Sequence, residues 1–157
     1  MPLLTAAAEQ GTVRLTWELP HDPRSVWQHL TDVDRLTEWL GQLRFGSFTV
    51  GDELVIDHGE GYLCRSIVHV ADEPRELAMT WHFPDEPASR LSINLDPPGR
   101  LQLEHTALGD LGGSYLPGWI THLTFLEASL RGEPIPLSAF WGVHATHERL
   151  TAPWLGS

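Results

Sequence analysis

Val13, Leu15, Trp17 and Leu19 alternate with Thr12, Arg14, Thr16 and Glu18, the two-residue period of a half-buried strand. Over residues 22–41, DPRSVWQHLTDVDRLTEWLG, the period lengthens to that of two short helices in succession. Asp22 is placed to cap the first with its carboxylate. Pro23 suits the first helical position, where its missing N–H would be unpaired anyway. Val26 and Leu30 share a face, with Trp27 beside them. Thr31, with Asp34 three residues later, resembles a capping box that restarts the chain as a second helix. There Val33, Leu36 and Leu40 share a face, and Gly41 is placed to supply a left-handed stop.

Alternation then returns and persists. Phe45, Phe48 and Val50, then Leu54, Val55 and Ile56, read as short strands punctuated by Gly46 and by Gly51-Asp52. His58 to Gly61 is a turn, and Tyr62 to Val70 a longer strand with Tyr62, Cys64, Ser66 and Val68 on one face. Glu73-Pro74 breaks it. Leu77, Met79, Trp81 and Phe83 alternate next. Beyond a loop at Pro84 to Pro87, Leu91, Ile93 and Leu95 lead into the turn Asp96-Pro97-Pro98-Gly99. Leu101, Leu103 and His105 complete the run. A glycine-rich loop, Gly109 to Gly118, precedes a helix from about Gly118 to Arg131, on which Trp119, Leu123, Leu126 and Leu130 form an apolar stripe. Gly132 and Pro134 end it, and Leu137 to Leu150 reads as one more helix.

This order is α+β and not βαβ. It predicts a curved antiparallel sheet of six or seven strands around a long C-terminal helix, with two short helices after the first strand. No internal repeat or linker divides the chain. Residues 1–157 are read as one domain, with a core over about 11–131 and a helical extension over about 134–154.

Composition narrows the functions open to such a fold. The net charge is −11 and the ten basic residues are arginines scattered singly. They leave no basic face for nucleic acid or for an anionic membrane. With no lysine, a Walker A lysine, a Schiff-base lysine and a Ser-x-x-Lys acyl-transfer site are excluded. Cys64 is the single cysteine, so neither an internal disulfide nor a cysteine zinc knuckle can form. The stretch MPLLTAAAEQ lacks the charged region and long apolar core of a signal peptide, and no run approaches the ~18 apolar residues of a membrane helix. A reduced, cytoplasmic protein without membrane insertion is expected. Seven tryptophans are many for 157 residues. Tryptophans build cores, and they also line apolar pockets while keeping one N–H donor.

Four pieces of the chain, in this order and spacing, carry a resemblance. They are Pro23-x-x-Val26-Trp27-x-x-Leu30-Thr31 with Trp39-Leu40-Gly41; Val50-Gly51-Asp52; Leu77-Ala78-Met79-Thr80-Trp81; and Leu101-x-Leu103-x-His105 followed by Gly118-Trp119-x-x-x-Leu123-x-x-Leu126. From about residue 11 to 131 the chain resembles the START-like or SRPBCC superfamily, whose fold is a helix-grip. Within it the chain is similar to the domain family named for homologues of the heat-shock protein 90 ATPase activator. The resemblance implies a deep, mostly apolar cavity between the sheet and the long helix, holding a hydrophobic small molecule such as a lipid or polyketide. Relatives also include cyclases and aromatases, and the eponymous proteins stimulate a chaperone. Both stand as alternatives.

A cavity ligand needs apolar walls and a few convergent polar groups. Strand parity puts His105 on the face of Leu101 and Leu103, while His122 lies near the centre of the helical stripe. The candidate ligand-binding set is Trp39 at the rim with Tyr62, Cys64, Ser66, Trp81, His105, Trp119, His122 and Leu126. If the chain is an enzyme, His105 or His122 would move a proton on an enolisable ligand held against Trp81 and Trp119. The alternative makes His105 a core histidine satisfied by its neighbours and His122 a helix-flank residue. His144, His147 and Glu148 have helical ligand spacing but match neither zinc-protease order. They read as a solvated face, and no metal or cofactor is expected. An exposed strand edge, Trp141 or Trp154 offers a contact for a homodimer.

Overall fold

The computed structural model describes residues 2–155. Eight antiparallel strands form one sheet among them: β1 (Leu3–Glu9), β2 (Thr12–Glu18), β3 (Gln42–Phe45), β4 (Glu53–Asp57), β5 (Leu63–Asp72), β6 (Glu76–Trp81), β7 (Ser89–Asp96) and β8 (Arg100–Thr106). Helices α1 (Pro23–Thr31) and α2 (Val33–Leu36) join β2 to β3, and α3 (Gly112–Leu130) and α4 (Phe140–Thr151) follow β8. The spatial order is β1-β2-β8-β7-β6-β5-β4-β3, so the sheet is curved but unclosed, with β1 and β3 at its edges. Its register shifts between Leu3 and Thr5, Leu43 and Phe45, and Val68 and Val70, irregularities of the kind that bend a strand.

The sheet thus has one strand more than the upper expectation, and the helix pair follows the second strand rather than the first. β1 escapes the alternation test because its inward positions are mostly alanines. Only Leu3, Ala6 and Ala8 are partly covered. Gln10 and Gly11, with φ of 52° and 76°, make the two-residue hairpin turn that registers Ala6 opposite Leu15.

Asp22 caps α1 through Arg24 N–H at 2.9 Å, with Pro23 in the first helical position. The second cap is Asp32 and not Thr31. Asp32 leaves the helix at φ −77°, ψ 130° and accepts from Asp34 N–H at 2.9 Å and Arg35 N–H at 3.2 Å. Thr31 is still helical, so its hydroxyl bonds back to Trp27 O at 2.9 Å. Nor is Gly41 a left-handed stop. Its role is close approach, because a Cβ there would lie 2.5 Å from the Asp57 carbonyl oxygen.

β3 ends at Phe45, and Phe48 to Val50 form a bend and turn with Phe45 and Val50 exposed. α3 begins at Gly112, six residues ahead of the expected start. Gly112, Gly113 and Pro117 read as breakers, yet Pro117 lies buried within the helix. Proline forfeits a backbone donor there, and packing outweighs the loss. Thr121 Oγ1 bonds the Pro117 carbonyl at 2.7 Å.

α3 crosses the sheet over β1 and β2. Its Leu116, Trp119, Leu123 and Leu126 join Trp17, Leu101, Leu103, Ile93 and Met79 in a continuous buried cluster. α4 packs on α3, with the rings of Phe140 and Phe125 5.5 Å apart and Thr121 Oγ1 2.9 Å from His147 Nδ1. No helix of the described residues is long and apolar enough to cross a membrane.

Candidate functional site

Toward the β3–β4 end, the strands, α3 and the start of α4 do not meet. They leave a pocket of about 1010 Å³. His58 enters it from the turn after β4, and Trp81 and Phe83 from β6 and its exit. Tyr115, Trp119 and His122 come from α3, and Phe140, Trp141 and His144 from α4. The volume is that of a large small-molecule site.

The rings brace one another in edge-to-face, tilted and stacked pairs. His58 stands 5.4 Å from Trp81, 5.0 Å from Phe83 and 6.0 Å from His122. Trp119 lies 5.1 Å from Trp81, and Phe140 4.8 Å from His122. Tyr62 stacks on Phe83 at 4.2 Å. At the mouth, Arg44 Nη2 meets Asp57 Oδ2 at 3.0 Å. The amides of Gly59 and Gly61 donate to Asp57 Oδ1, and together with Arg44 they hold this carboxyl below the usual carboxylate range.

Of the residues expected at a site, Tyr62, Trp81, Trp119 and His122 line the pocket. The others stand behind its wall. Leu126 is fully buried under α3. Cys64 and Ser66 point inward from β5, and burial pushes the Cys64 thiol up to about 12. Trp39 donates its indole N–H to His29 O at 2.7 Å, and its own carbonyl accepts from His122 Nδ1 at 2.9 Å.

His105 is wholly buried, and its partners determine its tautomer. Trp119 Nε1–H donates to Nδ1 at 3.0 Å, so the proton sits on Nε2 and donates to Ser89 Oγ at 2.7 Å. Ser89 passes its own proton to Trp81 O at 3.1 Å. The chain of bonds ties both wall tryptophans to a neutral imidazole, which burial holds at about 3. His105 is therefore a satisfied core histidine that positions Trp119.

His122 differs. Its Nδ1 donates to the Trp39 carbonyl, which leaves Nε2 as an acceptor on a residue of the pocket wall. Burial lowers its pKa to about 4, against a smaller opposing effect of the Trp39 carbonyl.

Three wall residues are ones that sequence reasoning passed over. His58 lies at the turn that the sequence predicts, but its ring turns inward. Its Nε2 is buried without a partner among the described residues, and burial holds it at about 3. Tyr115 belongs to the first turns of α3, where the glycines predict a loop. It accepts from Trp81 Nε1–H at 3.2 Å and donates to Glu86 Oε1, and burial with that carboxylate raises its pKa. Glu86 had no pattern to mark it. His144 reaches the pocket mouth from α4 while His147 turns to Thr121. Among the described residues no group of three His, Cys, Asp or Glu side chains is arranged to hold a metal ion.

Residues 20–115, more than half of the chain, match the model of the family described as activator of Hsp90 ATPase homolog 1-like protein. The chain belongs to that family. The chain is similar in structure to CalU16 from Micromonospora echinospora, with a TM-score of 0.76 and 21% identity over 93% of this chain and 89% of that one. It is similar to DynU16, described as a protein in the dynemicin biosynthetic locus, with a TM-score of 0.73 and 23% identity over 79% of this chain. There it spans about half, 49%, of DynU16's length. MLL2253 from Mesorhizobium loti gives a TM-score of 0.69 and 23% identity over 79% of this chain and 99% of that one. At these identities the likeness establishes the helix-grip fold alone. No curated protein matches the chain in sequence.

Proposed function

We propose that this helix-grip domain binds a hydrophobic small molecule, a lipid, polyketide or similar, in the pocket between the sheet and α3. One observation carries the reading: about 1010 Å³ walled on its inner side by braced aromatic rings, with polar side chains interspersed among them. Trp81, Trp119 and His122 form its inner wall with Phe140 from α4, and Tyr62 and Trp141 stand at its exposed edge. His105, Cys64, Ser66, Trp39 and Leu126 support that wall from behind. DynU16 lends the reading some support, since its gene lies in a biosynthetic locus.

Gly118 provides the test. It lines the pocket in mid-helix, and a Cβ built on it meets nothing within 4 Å. Gly118→Leu projects a side chain into that space from the α3 wall and replaces a glycine with a good helix former. A neutral solvatochromic dye such as Nile red is expected to bind the unaltered chain saturably, one per protein. Gly118→Leu is expected to abolish binding without loss of folding stability. Equal dye binding by both proteins would put the ligand elsewhere.

A second reading, cyclase- or aromatase-like proton transfer, draws on the free Nε2 of His122 at the wall and the unpartnered Nε2 of His58. It requires that His122→Gln retain affinity for a co-purified ligand while turnover of that ligand falls. Unchanged turnover would remove it.

A further inference from the structure

The pocket's polar atoms are divided unevenly between donors and acceptors. Most donors of the aromatic wall are already engaged within the protein, while the neutral ring of His58 keeps one N–H without a partner among the described residues. Trp81 Nε1–H goes to Tyr115, Trp119 Nε1–H to His105, and Tyr115 O–H to Glu86. Tyr62 O–H goes to Asp85 at 2.7 Å, and His122 Nδ1–H to the Trp39 carbonyl. Free acceptors stand on the same wall. His122 Nε2 is a bare acceptor, and the second carboxylate oxygen of Glu86 has no partner among the described residues. A ligand that brought hydroxyl or amino groups would pair them with His122 and Glu86, whereas an acceptor would find the His58 N–H alone among the inner rings.

Charge points the same way. Arg44 is bonded to Asp57 at the mouth, which leaves Glu60 and Glu86 as the uncompensated carboxylates of the lining. His58 and His122, held at about 3 and 4, bring no positive charge at neutral pH. A carboxylate ligand would enter against two like charges. An ammonium group would meet aromatic faces and Glu86, the chemistry that favours cations over rings.

We propose that the ligand is a planar aromatic molecule, uncharged or cationic, that brings hydroxyl or amino donors to Glu86 and His122, and that the pocket discriminates against carboxylates. This rests on the reading of the pocket as a small-molecule site.

Four probes of one ring system separate the two ideas: naphthalene, naphthol, naphthylamine and naphthoate, titrated calorimetrically at neutral pH with Gly118→Leu as the blocked control. Naphthol and naphthylamine are expected to bind at least about tenfold more tightly than naphthoate. Glu86→Gln keeps the oxygen that Tyr115 bonds but removes the charge, and is expected to narrow that gap to about threefold or less. Naphthoate binding as tightly as naphthol would overturn this ligand class while leaving the container intact. Affinities in the order naphthol, naphthylamine, naphthoate that Glu86→Gln leaves unmoved would overturn the role of Glu86. If none of the four binds in a way that Gly118→Leu blocks, the pocket reading falls and this inference falls with it.

Discussion

Protonating His105 would put a second N–H against the indole N–H of Trp119, which already donates to Nδ1. Burial therefore holds this histidine at about 3 in the folded chain, below its ordinary 6.5. The sign follows directly. The unfolded chain takes up the proton first, so the stabilisation is complete above about pH 6.5 and is lost as pH falls from there toward 3. His58 and His122, held at about 3 and 4, steepen the same loss. Denaturant titrations at stepped pH are expected to lose about 1.4 kcal/mol per pH unit for each such histidine below that upper edge. A flat profile from neutral to mildly acidic pH would contradict the buried, neutral assignments. His105→Leu strands the Trp119 N–H and is expected to cost about 2–4 kcal/mol, removing one histidine's share of the slope. His122→Gln, with its free side toward the pocket, is expected to cost under about 1 kcal/mol in the same measurement. Strand parity made the inward direction of His105 legible, but its satisfaction depends on Ser89 and Trp119, which lie 16 and 14 residues away. The inward turn of His58 was not legible, because a turn residue has no period to reveal its side.

Elements show where local pattern and tertiary packing part company. α1 was legible through Asp22 and Pro23, whose chemistry is local. β1 was not, since alanine carries too little apolar surface to register as alternation. The first turns of α3 were missed because glycine and proline oppose helix locally, while Leu116 and Pro117 become buried only when the sheet is present. That miss hid Tyr115, and with it the Trp81–Tyr115–Glu86 series at the pocket wall. Two glycine substitutions probe element packing in opposite directions. Gly41→Ala forces a methyl against the Asp57 carbonyl and must move β4 from the end of the helix pair. It is expected to cost about 2 kcal/mol or more in denaturant unfolding. Gly142→Ala in α4 meets open space at a helical position, and is expected to stabilise by about 0.5–1 kcal/mol. If both changes were neutral, the close contact of Gly41 with β4 would not be a stabilising feature of the fold.

At the scale of the whole molecule, the order of elements was readable because a sheet that must bury one face needs a cover, and the α3 stripe was the available one. The helix pair over residues 23–36 packs on α3 and β3, and Trp39 beyond it braces His122 through its carbonyl. The contents were not readable, because a pocket is made where packing stops, and no residue pattern records an absence of neighbours. Ring size, the bound tryptophan donors and the two uncompensated carboxylates describe what would fit there. Native mass spectrometry of the protein purified from its own host tests the container directly. The account predicts a discrete mass excess from a bound hydrophobic molecule, released by organic solvent and absent from Gly118→Leu. Bare polypeptide mass from both proteins, with no uptake of added naphthol or Nile red by either, would contradict it.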